Sequence, residues 1–220
     1  DVTVNPDEVD ISLSLGGIKL AIPFLASAMD GVVDVPFAVA MGKLGGLGVL
    51  NLDGINARYD KPREVVAAIA GAAPEDATKQ LQEVYRKPVK EDLIAQRVEE
   101  IKSAKVPCAV SCIPQNADRW GPIAAEAGCD IFVVQSTVAT ARHKATLYKP
   151  FDFAKFIKKL GIPVVVGNVV TYSVSFELME AGAAGLLVGV GPGAACTTRG
   201  VLGLGVPQVT ATVDCAAARD

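Results

Sequence analysis

Short apolar runs alternate with longer amphipathic stretches along most of the chain, and this alternation predicts repeated strand–helix units. The short runs are rich in β-branched and small apolar residues, which is typical of strands buried on both faces. These predicted strands cover residues 24–30, 47–51, 107–112, 130–135, 163–167 and 186–189. The apolar spacing between and after them predicts helices over 36–44, 62–70, 74–85, 91–105, 117–127, 152–160, 173–181 and 208–219. Such an order indicates an α/β fold with a parallel sheet.

The N-terminal segment has a different pattern. Residues 9–15 and 18–22 alternate weakly between apolar and polar positions, and Pro23 ends the second run. This alternation predicts a short hairpin or an edge ribbon ahead of the parallel sheet.

Two parallel-sheet architectures fit the pattern, a doubly wound sheet and a TIM-type (β/α)8 barrel. No G-x-G-x-x-G motif follows the first predicted strand, which weakens the dinucleotide-binding doubly wound alternative. Polar or reactive residues end nearly every strand, and a barrel gathers such positions around one pocket. They are Ser27, Asp30, Asn51, Ser111, Gln135, Asn168 and the loop that contains Cys196. We therefore predict a barrel.

A closed barrel of this type has eight strands, whereas the pattern yields six. We therefore expect residues 1–220 to form one catalytic barrel domain that is C-terminally incomplete, with about six of eight βα units.

Composition narrows the class of protein. Half of the residues are hydrophobic and 5% are aromatic, as in parallel sheets covered by helices. A net charge of −3 argues against a broad nucleic-acid surface, and no apolar run is long enough to span a membrane, so we expect a cytoplasmic protein. The five cysteines are an odd number, which indicates free thiols. Cys108 and Cys112 lie in an apolar strand-like run, so we expect them to be buried. A zinc site is not expected, because the only histidine is His143, which is predicted to lie on the surface.

The last predicted strand runs into a glycine-rich loop that carries a cysteine. Glycines at 189, 191 and 193 allow close approach of a ligand to the backbone. Cys196 follows, with Thr198 and Arg199 after it. Backbone N–H groups and a nearby cation lower the pKa of a thiol, so the pattern predicts a nucleophilic cysteine in a loop that also holds a phosphate or an ion.

With this loop placed after the sixth strand of a barrel, the chain resembles the IMP dehydrogenase/GMP reductase family, and more narrowly its short IMP dehydrogenase-related bacterial branch. The matching segments are Ala-Ser-Ala-Met-Asp at 26–30, Gly-Gly-Leu-Gly-Val at 45–49, Gly-Asn-Val-Val-Thr at 167–171, the glycine–cysteine loop at 189–199 and Gly-Val-Pro-Gln-Val-Thr at 205–210. Many dehydrogenases of the family carry a regulatory CBS pair after the second strand. Residues 52–106 are too few to hold one, so no CBS domain is expected.

The resemblance implies a role for each matching residue. Cys196 matches the nucleophile that attacks C2 of a purine nucleotide, and Thr198 the threonine that serves the second half-reaction. The implied substrate-binding residues are Ser27, Met29, Gly193 and Ala194. The implied residues for the cofactor, NADPH or NAD, are Gln135, Ser136, Asn168, Gly189 and Gly191. A potassium ion is implied at the backbone carbonyls of Gly191, Gly193 and Cys196.

The chain departs from the family pattern at three places. Ala194 stands where the family has a phosphate-binding serine, and Gln135 where it often has an aspartate that contacts the cofactor or substrate. Asn51 and Leu52 stand at the basic pair that serves proton transfer in the reductases.

The resemblance leaves the direction of the reaction open. Cys-Thr-Thr-Arg at 196–199 is closer to the reductases than to the Cys-Ile-Thr-Gln of the dehydrogenases, and it favours NADPH-dependent reductive deamination of GMP to IMP. The alternatives are NAD-dependent oxidation of IMP to XMP and a nucleotide-binding protein without turnover. The resemblance also implies a homotetramer or a higher homo-oligomer.

Overall fold

The strands form where runs of apolar residues allow burial on both faces. The structure, a computed structural model, describes residues 3–142, 146 and 150–219. A two-stranded antiparallel hairpin precedes a six-stranded parallel sheet whose strands lie side by side in chain order. The hairpin consists of β1 (Leu13–Leu15) and β2 (Ile18–Leu20), and the sheet of β3 (Leu25–Ala26), β4 (Leu47–Asn51), β5 (Ala109–Cys112), β6 (Ile131–Gln135), β7 (Val164–Val169) and β8 (Gly185–Val188).

Helices follow the strands along the chain, and most lie close to the predicted positions. They are α1 (Val35–Lys43), α2 (Pro62–Ala70), α3 (Pro74–Arg86), α4 (Glu91–Ser103), α5 (Pro114–Glu126), α6 (Phe153–Leu160), α7 (Tyr172–Glu180), α8 (Thr198–Leu202) and α9 (Gln208–Ala217). Gly161 and Gly182, at the ends of α6 and α7, have φ of +74° and +98°. These left-handed residues end the helices as the sequence predicts.

Side chains of the strands divide between two apolar clusters, one on each face of the sheet. Leu50, Phe132 and Val166 belong to the cluster that includes the helices. Their neighbours in the same strands, such as Val133 and Val165, belong to a second cluster with Leu20 of the hairpin. A doubly wound sheet reverses its strand order at one point, whereas this sheet keeps the chain order throughout. The sheet is therefore a curled part of a TIM-type barrel, as predicted.

The hairpin closes the end of the sheet opposite the candidate site. Its turn residue Gly16 has φ of +56°, and a Cβ there would lie 2.3 Å from Cβ of Pro163, which precedes β7. Leu15 and Ile18 pack against the second cluster, the one that contains Leu20. The hairpin prediction is confirmed, with shorter strands than the alternation indicated.

One predicted strand was too long, and one short helix was missed. Only Leu25–Ala26 of the first predicted strand pairs with β4. The chain turns at once afterwards, where the N–H of Met29 donates to the carbonyl of Ser27 at 2.8 Å. The short helix α8 was not predicted, because five residues are too few to show an apolar period.

No helix among the described residues is both long enough and apolar enough to cross a membrane.

Candidate active site

The loop that follows β8 leaves the sheet in a direction set by hydrogen bonds from its neighbours. Gly189 has φ of +131°, which only glycine adopts readily. Its N–H donates to the carbonyl of Val169, and its carbonyl accepts a bond from Asn168 Nδ2, both at 2.9 Å. At the start of α9, Gln208 Nε2 donates to the carbonyl of Val188 at 3.0 Å. Sequence reasoning assigned no role to Gln208, although it lies within one of the matching segments.

Cys196 has the exposure and the electrostatic surroundings of a reactive thiol. It is partly exposed, whereas the other four cysteines are buried. Hydrogen bonds to the sulfur lower the pKa of Cys196; the hydroxyl of Thr198 has the largest effect and its backbone N–H the next. The positive charge of Arg199 acts in the same direction. The thiolate is the nucleophilic form of cysteine, so these groups favour nucleophilic attack by Cys196.

The other cysteines serve packing. Burial raises the pKa of Cys112, which suppresses thiolate formation there. Cys129 Sγ lies 3.1 Å from the carbonyl of Ile131, within the apolar cluster that includes the helices. Cys108 and Cys215 are buried and free as well, which agrees with the prediction of free thiols. His143 lies outside the described residues.

Arg199 lies on the two glycine carbonyls that the resemblance assigns to potassium. Its Nη1 donates to the carbonyl of Gly191, and its Nη2 to the carbonyl of Gly193 at 3.2 Å. The Gly193 carbonyl also accepts the N–H of Cys196 at 3.2 Å. A carbonyl oxygen has two lone pairs, so that of Gly193 is fully used. In this arrangement the Gly193 carbonyl has no lone pair left for a potassium ion and the Gly191 carbonyl already accepts the guanidinium, so the two glycine carbonyls do not fit one together.

Four of the predicted cofactor residues lie together at or near the carboxyl ends of β6, β7 and β8. Gln135 Nε2 is 3.4 Å from Asn168 Oδ1, and the other end of the Asn168 amide bonds Gly189. Ser136 exchanges backbone hydrogen bonds with this segment, donating to the carbonyl of Gly167 at 2.8 Å and accepting the N–H of Asn168 at 3.0 Å. The side-chain amide of Gln135 thus joins a chain of hydrogen bonds between neutral groups. An ionised aspartate at this position has only acceptors and could not donate to Asn168 Oδ1.

A cavity of about 480 Å³ opens beside Ser136. It lies between the loop after β6 and the first turns of α5 and α6, and its lining is partly polar and partly aromatic. The polar side includes Gln115, Asp118 and Thr140, and the aromatic side includes Phe151 and Phe153. A site of this size and mixed lining suits part of a dinucleotide.

Ser27 and Met29 lie in the turn that follows β3. The carbonyl of Met29 accepts the N–H groups of Val32 and Val33, both at 2.9 Å, so its backbone is held while its side chain is 57% exposed. An exposed thioether beside the sheet edge is available to pack on a purine face. Because all six strands are parallel, this turn and the Cys196 loop lie at the same end of the sheet.

A contact that sequence reasoning missed joins α3 to this turn. The hydroxyl of Tyr85 donates to the carboxylate of Asp30. Burial is the main cause of the raised pKa of Tyr85, and the contact with Asp30 is the second. A Cβ on Gly54 would lie 1.9 Å from Asp30 Oδ1, so only glycine fits at that position. The guanidinium of Arg58 stacks over the Tyr85 ring, 5.6 Å from its centre. The partners lie 55 residues apart, which no local pattern reveals.

Asp53 is a second group that the sequence did not single out. Its Oδ2 accepts the N–H of Ile113 at 2.8 Å, and its Oδ1 accepts from Asn116 Nδ2 at 2.6 Å. Burial raises the pKa of Asp53, and these two bonds oppose that shift. Asn51 Oδ1 accepts the N–H of Asp53 at 3.0 Å, while Leu52 is fully buried. Asn51 and Leu52, which stand at the family's basic pair, therefore hold the backbone of this turn and pack in the core.

The residues expected to meet the phosphate are exposed and carry no side-chain donor. Gly193 and Ala194 both lie on the surface of the loop. Backbone N–H groups are thus what these two residues offer an anion.

Comparison with known proteins identifies the family of the chain. Residues 1–220 match the family described as the IMP dehydrogenase / GMP reductase domain. An uncharacterized oxidoreductase of Mycolicibacterium smegmatis is 37% identical over 232 residues, which cover 100% of this chain and 62% of that protein. An uncharacterized oxidoreductase of Mycobacterium leprae is 39% identical over 99% of this chain and 60% of its own length. An inosine-5'-monophosphate dehydrogenase of Cryptosporidium parvum is 32% identical over 96% and 54%, respectively.

A solved structure has the same fold. The IMP dehydrogenase/GMP reductase-like protein from Corynebacterium glutamicum superimposes with a TM-score of 0.91 at 33% identity, covering 100% of this chain and 58% of that one. The chain thus spans about 60% of the length of the first relatives that it matches. Because the match to the family extends over every residue of the chain, the protein belongs to the IMP dehydrogenase/GMP reductase family.

Proposed function

We propose that the protein to which this chain belongs is a purine-nucleotide oxidoreductase that acts at C2 through a covalent Cys196 intermediate. Its reaction is the NADPH-dependent reductive deamination of GMP to IMP. The names of the relatives support an oxidoreductase in general terms, and the reductase direction is favoured by Cys-Thr-Thr-Arg at 196–199.

The observation that carries the proposal is the environment of Cys196. This thiol is partly exposed in a glycine-rich loop at the carboxyl end of β8, and hydrogen bonds from Thr198 lower its pKa. A structural cysteine is normally buried with a raised pKa, as Cys112 is. Thiol activation in an open loop is typical of covalent catalysis.

The proposed steps balance as follows. The Cys196 thiolate attacks C2 of GMP, so that a C–S bond forms, the bond from C2 to the amino nitrogen breaks, and ammonia leaves after protonation. NADPH, when bound, supplies the hydride that reaches C2, and the C–S bond breaks to release IMP and the thiolate. GMP, NADPH and two protons thus give IMP, NADP⁺ and ammonium. Thr198, whose hydroxyl lies against the sulfur, favours the thiolate both before attack and on release.

The nicotinamide cofactor has a suitable set of groups in this chain. Gln135, Asn168 and Gly189 form a connected row of amides, and the cavity beside Ser136 has room for part of the dinucleotide. We propose that the row meets the nicotinamide end. The nucleotide is proposed to lie between Met29 and the Cys196 loop, with its phosphate on the backbone N–H groups near Gly193 and Ala194.

IMP oxidation is the second candidate, because a relative is a dehydrogenase that acts on this nucleotide. A nucleotide-binding protein without turnover is the third, since Ala194 and Gln135 depart from the family pattern. The full-length protein, assayed with GMP plus NADPH and with IMP plus NAD⁺, separates all three by the absorbance of the reduced nicotinamide. Loss of that absorbance with GMP supports the proposal, a gain with IMP supports the dehydrogenase, and binding without change in either mixture refutes both enzymes.

The covalent step has its own test. Cys196→Ala is expected to lower turnover by about three orders of magnitude or more while nucleotide binding persists, as for other removed nucleophiles. Cys215→Ala is the control, because its thiol is buried against the carbonyl of Thr171. Substantial turnover by Cys196→Ala would contradict the mechanism. We also propose a homotetramer or a higher homo-oligomer, which light scattering of the full-length protein would test.

A further inference from the structure

The loop around Cys196 is organised by an arginine that the loop itself supplies. The guanidinium of Arg199 donates from Nη1 to the carbonyl of Gly191 and from Nη2 to that of Gly193. These two carbonyls lie on either side of Pro192, and a planar guanidinium has two parallel donors that can reach both. One side chain thereby holds the segment that leads into the thiol.

The surrounding backbone is shaped to admit this side chain. A Cβ at Gly205 would lie 2.5 Å from Cγ of Arg199, and a Cβ at Gly191 would lie 3.3 Å from the same atom. The N–H of Val206 donates to the carbonyl of Val190 at 2.9 Å, which holds the two glycine segments side by side. Gly205 therefore leaves room for the arginine stem, independently of the hydrogen bonds of its head group. Gly191, where a Cβ would first meet the carbonyl of Leu204 at 2.8 Å, lets the two glycine segments pack closely.

A monovalent cation at the same carbonyls would compete with this arrangement. The Gly193 oxygen already accepts Arg199 and the N–H of Cys196, so it has no lone pair for an added ion. The guanidinium would also repel a second positive charge at contact distance. The loop thus has a cation on its carbonyls without an added ion.

We propose that Arg199 replaces a bound monovalent cation in this protein, so that the Cys196 loop is ordered without potassium. Arg199 is then a positioning residue, because it acts through the carbonyls of Gly191 and Gly193 rather than on the substrate. The effect on turnover rests on the proposed function, but the effect on the thiol does not.

The test uses the full-length protein in potassium, sodium or choline chloride at one ionic strength. The rate of Cys196 alkylation by iodoacetamide, read by peptide mass spectrometry, reports the thiol without requiring turnover. Turnover with GMP plus NADPH and with IMP plus NAD⁺ is measured in parallel. The variants are Arg199→Ala and Arg199→Lys, and Arg119→Ala is the matched control, since Arg119 is an exposed arginine of α5 paired with Glu91.

In the wild type and in Arg119→Ala, we expect the alkylation rate and turnover to be the same in all three salts. Arg199→Ala is expected to slow alkylation about tenfold in choline, because two charge-assisted hydrogen bonds and a nearby positive charge are lost. Potassium is expected to restore part of that rate in Arg199→Ala. Arg199→Lys is expected to fall between, since an ammonium group cannot present two parallel donors.

Two results would overturn the inference: selective stimulation of the wild type by potassium, or an unchanged alkylation rate in a folded Arg199→Ala protein. Circular dichroism establishes folding, and Arg199→Lys provides the comparison if the alanine variant unfolds. If alkylation behaves as expected but neither nucleotide pair is turned over in any salt, the proposed function fails and the role of Arg199 stands.

Discussion

Replacing Tyr85 with phenylalanine is expected to weaken the turn that carries Met29 without disturbing the packing of α3. The phenol hydroxyl donates to Asp30 Oδ2, and the other oxygen of that carboxylate is buried with no hydrogen-bond partner among the described residues. Tyr85→Phe therefore removes the one donor that this structure assigns to the carboxylate. The ring and its contact with Arg58 remain.

The expected magnitude follows from the charge and the exposure of the pair. A hydrogen bond to a charged group contributes about 1.5–3 kcal/mol. The site is partly open to solvent, which screens the interaction, so we expect a loss of about 1–2 kcal/mol in the free energy of unfolding. For a protein of this size, that corresponds to a fall of roughly 2–8 °C in Tm. The KM for the nucleotide is expected to rise, since Asp30 follows Met29 directly in the chain.

A double-mutant cycle isolates this contact from general destabilisation. Tyr85→Phe combined with Asp30→Asn is expected to show a coupling energy of about 1 kcal/mol, measured by urea denaturation of the full-length protein. Tyr59→Phe is the matched control, because the Tyr59 hydroxyl donates to a neutral carbonyl, that of Val84, at 3.0 Å. Its effect is expected to add to that of Asp30→Asn. Additive effects of Tyr85→Phe and Asp30→Asn would refute the reasoning.

The pH dependence of the same pair has a definite sign. Burial and the Asp30 carboxylate raise the pKa of Tyr85 above the ordinary value of 10.0. A group with a raised folded-state pKa stabilises the protein fully below its unfolded pKa and loses that contribution as the pH rises through the folded one. The stability difference between wild type and Tyr85→Phe is therefore expected to be constant from neutral pH to about pH 10 and to shrink above it.

Three further predictions concern the loops and the edges of the sheet. Thr198→Val is expected to move the pH midpoint of Cys196 alkylation upwards, because the Thr198 hydroxyl is the main cause of the lowered pKa of this thiol. Gly189→Ala is expected to destabilise the protein by about 1–3 kcal/mol, since φ of +131° strains a residue with a Cβ. Residues 1–220 expressed alone are expected to self-associate, because β3 and β8 are edges of the described sheet and α8 and α9 expose Val201 and Val209, each at 77%.

Each of these has a contradicting result, and the two substitutions have matched controls. Thr197→Val tests the neighbouring hydroxyl, which makes no capping bond to α8, and an equal shift in both variants would exclude a special role for Thr198. Gly193→Ala places its Cβ no closer than 3.7 Å to another atom, so unfolding by urea should distinguish it from Gly189→Ala. Equal stability of these two variants would contradict the strain argument. A monomer of residues 1–220 in sedimentation velocity would contradict the edge argument.

Much of the fold and part of the site follow from local sequence patterns. Apolar runs of four to six residues mark the strands β4 to β8 because both faces of a parallel sheet are buried, and glycines at 161 and 182 mark helix ends because they adopt positive φ. The proposed role of Cys196 was accessible in the same way, since the glycines, threonines and arginine that surround it are its neighbours in the chain.

The remaining features depend on residues that only the tertiary structure brings together. Tyr85 reaches Asp30 across 55 positions, and Asp53 reaches Asn116 across 63, so no local period or motif reveals either contact. The same holds for Arg199, whose charge was visible in the sequence while its partners were not. Whether it lies on two glycine carbonyls or points to solvent depends on the turn of the loop and on the space left at Gly205. The sequence by itself determined most of the elements, their order and the candidate nucleophile, whereas the supporting contacts of the site were decided by packing across distant segments.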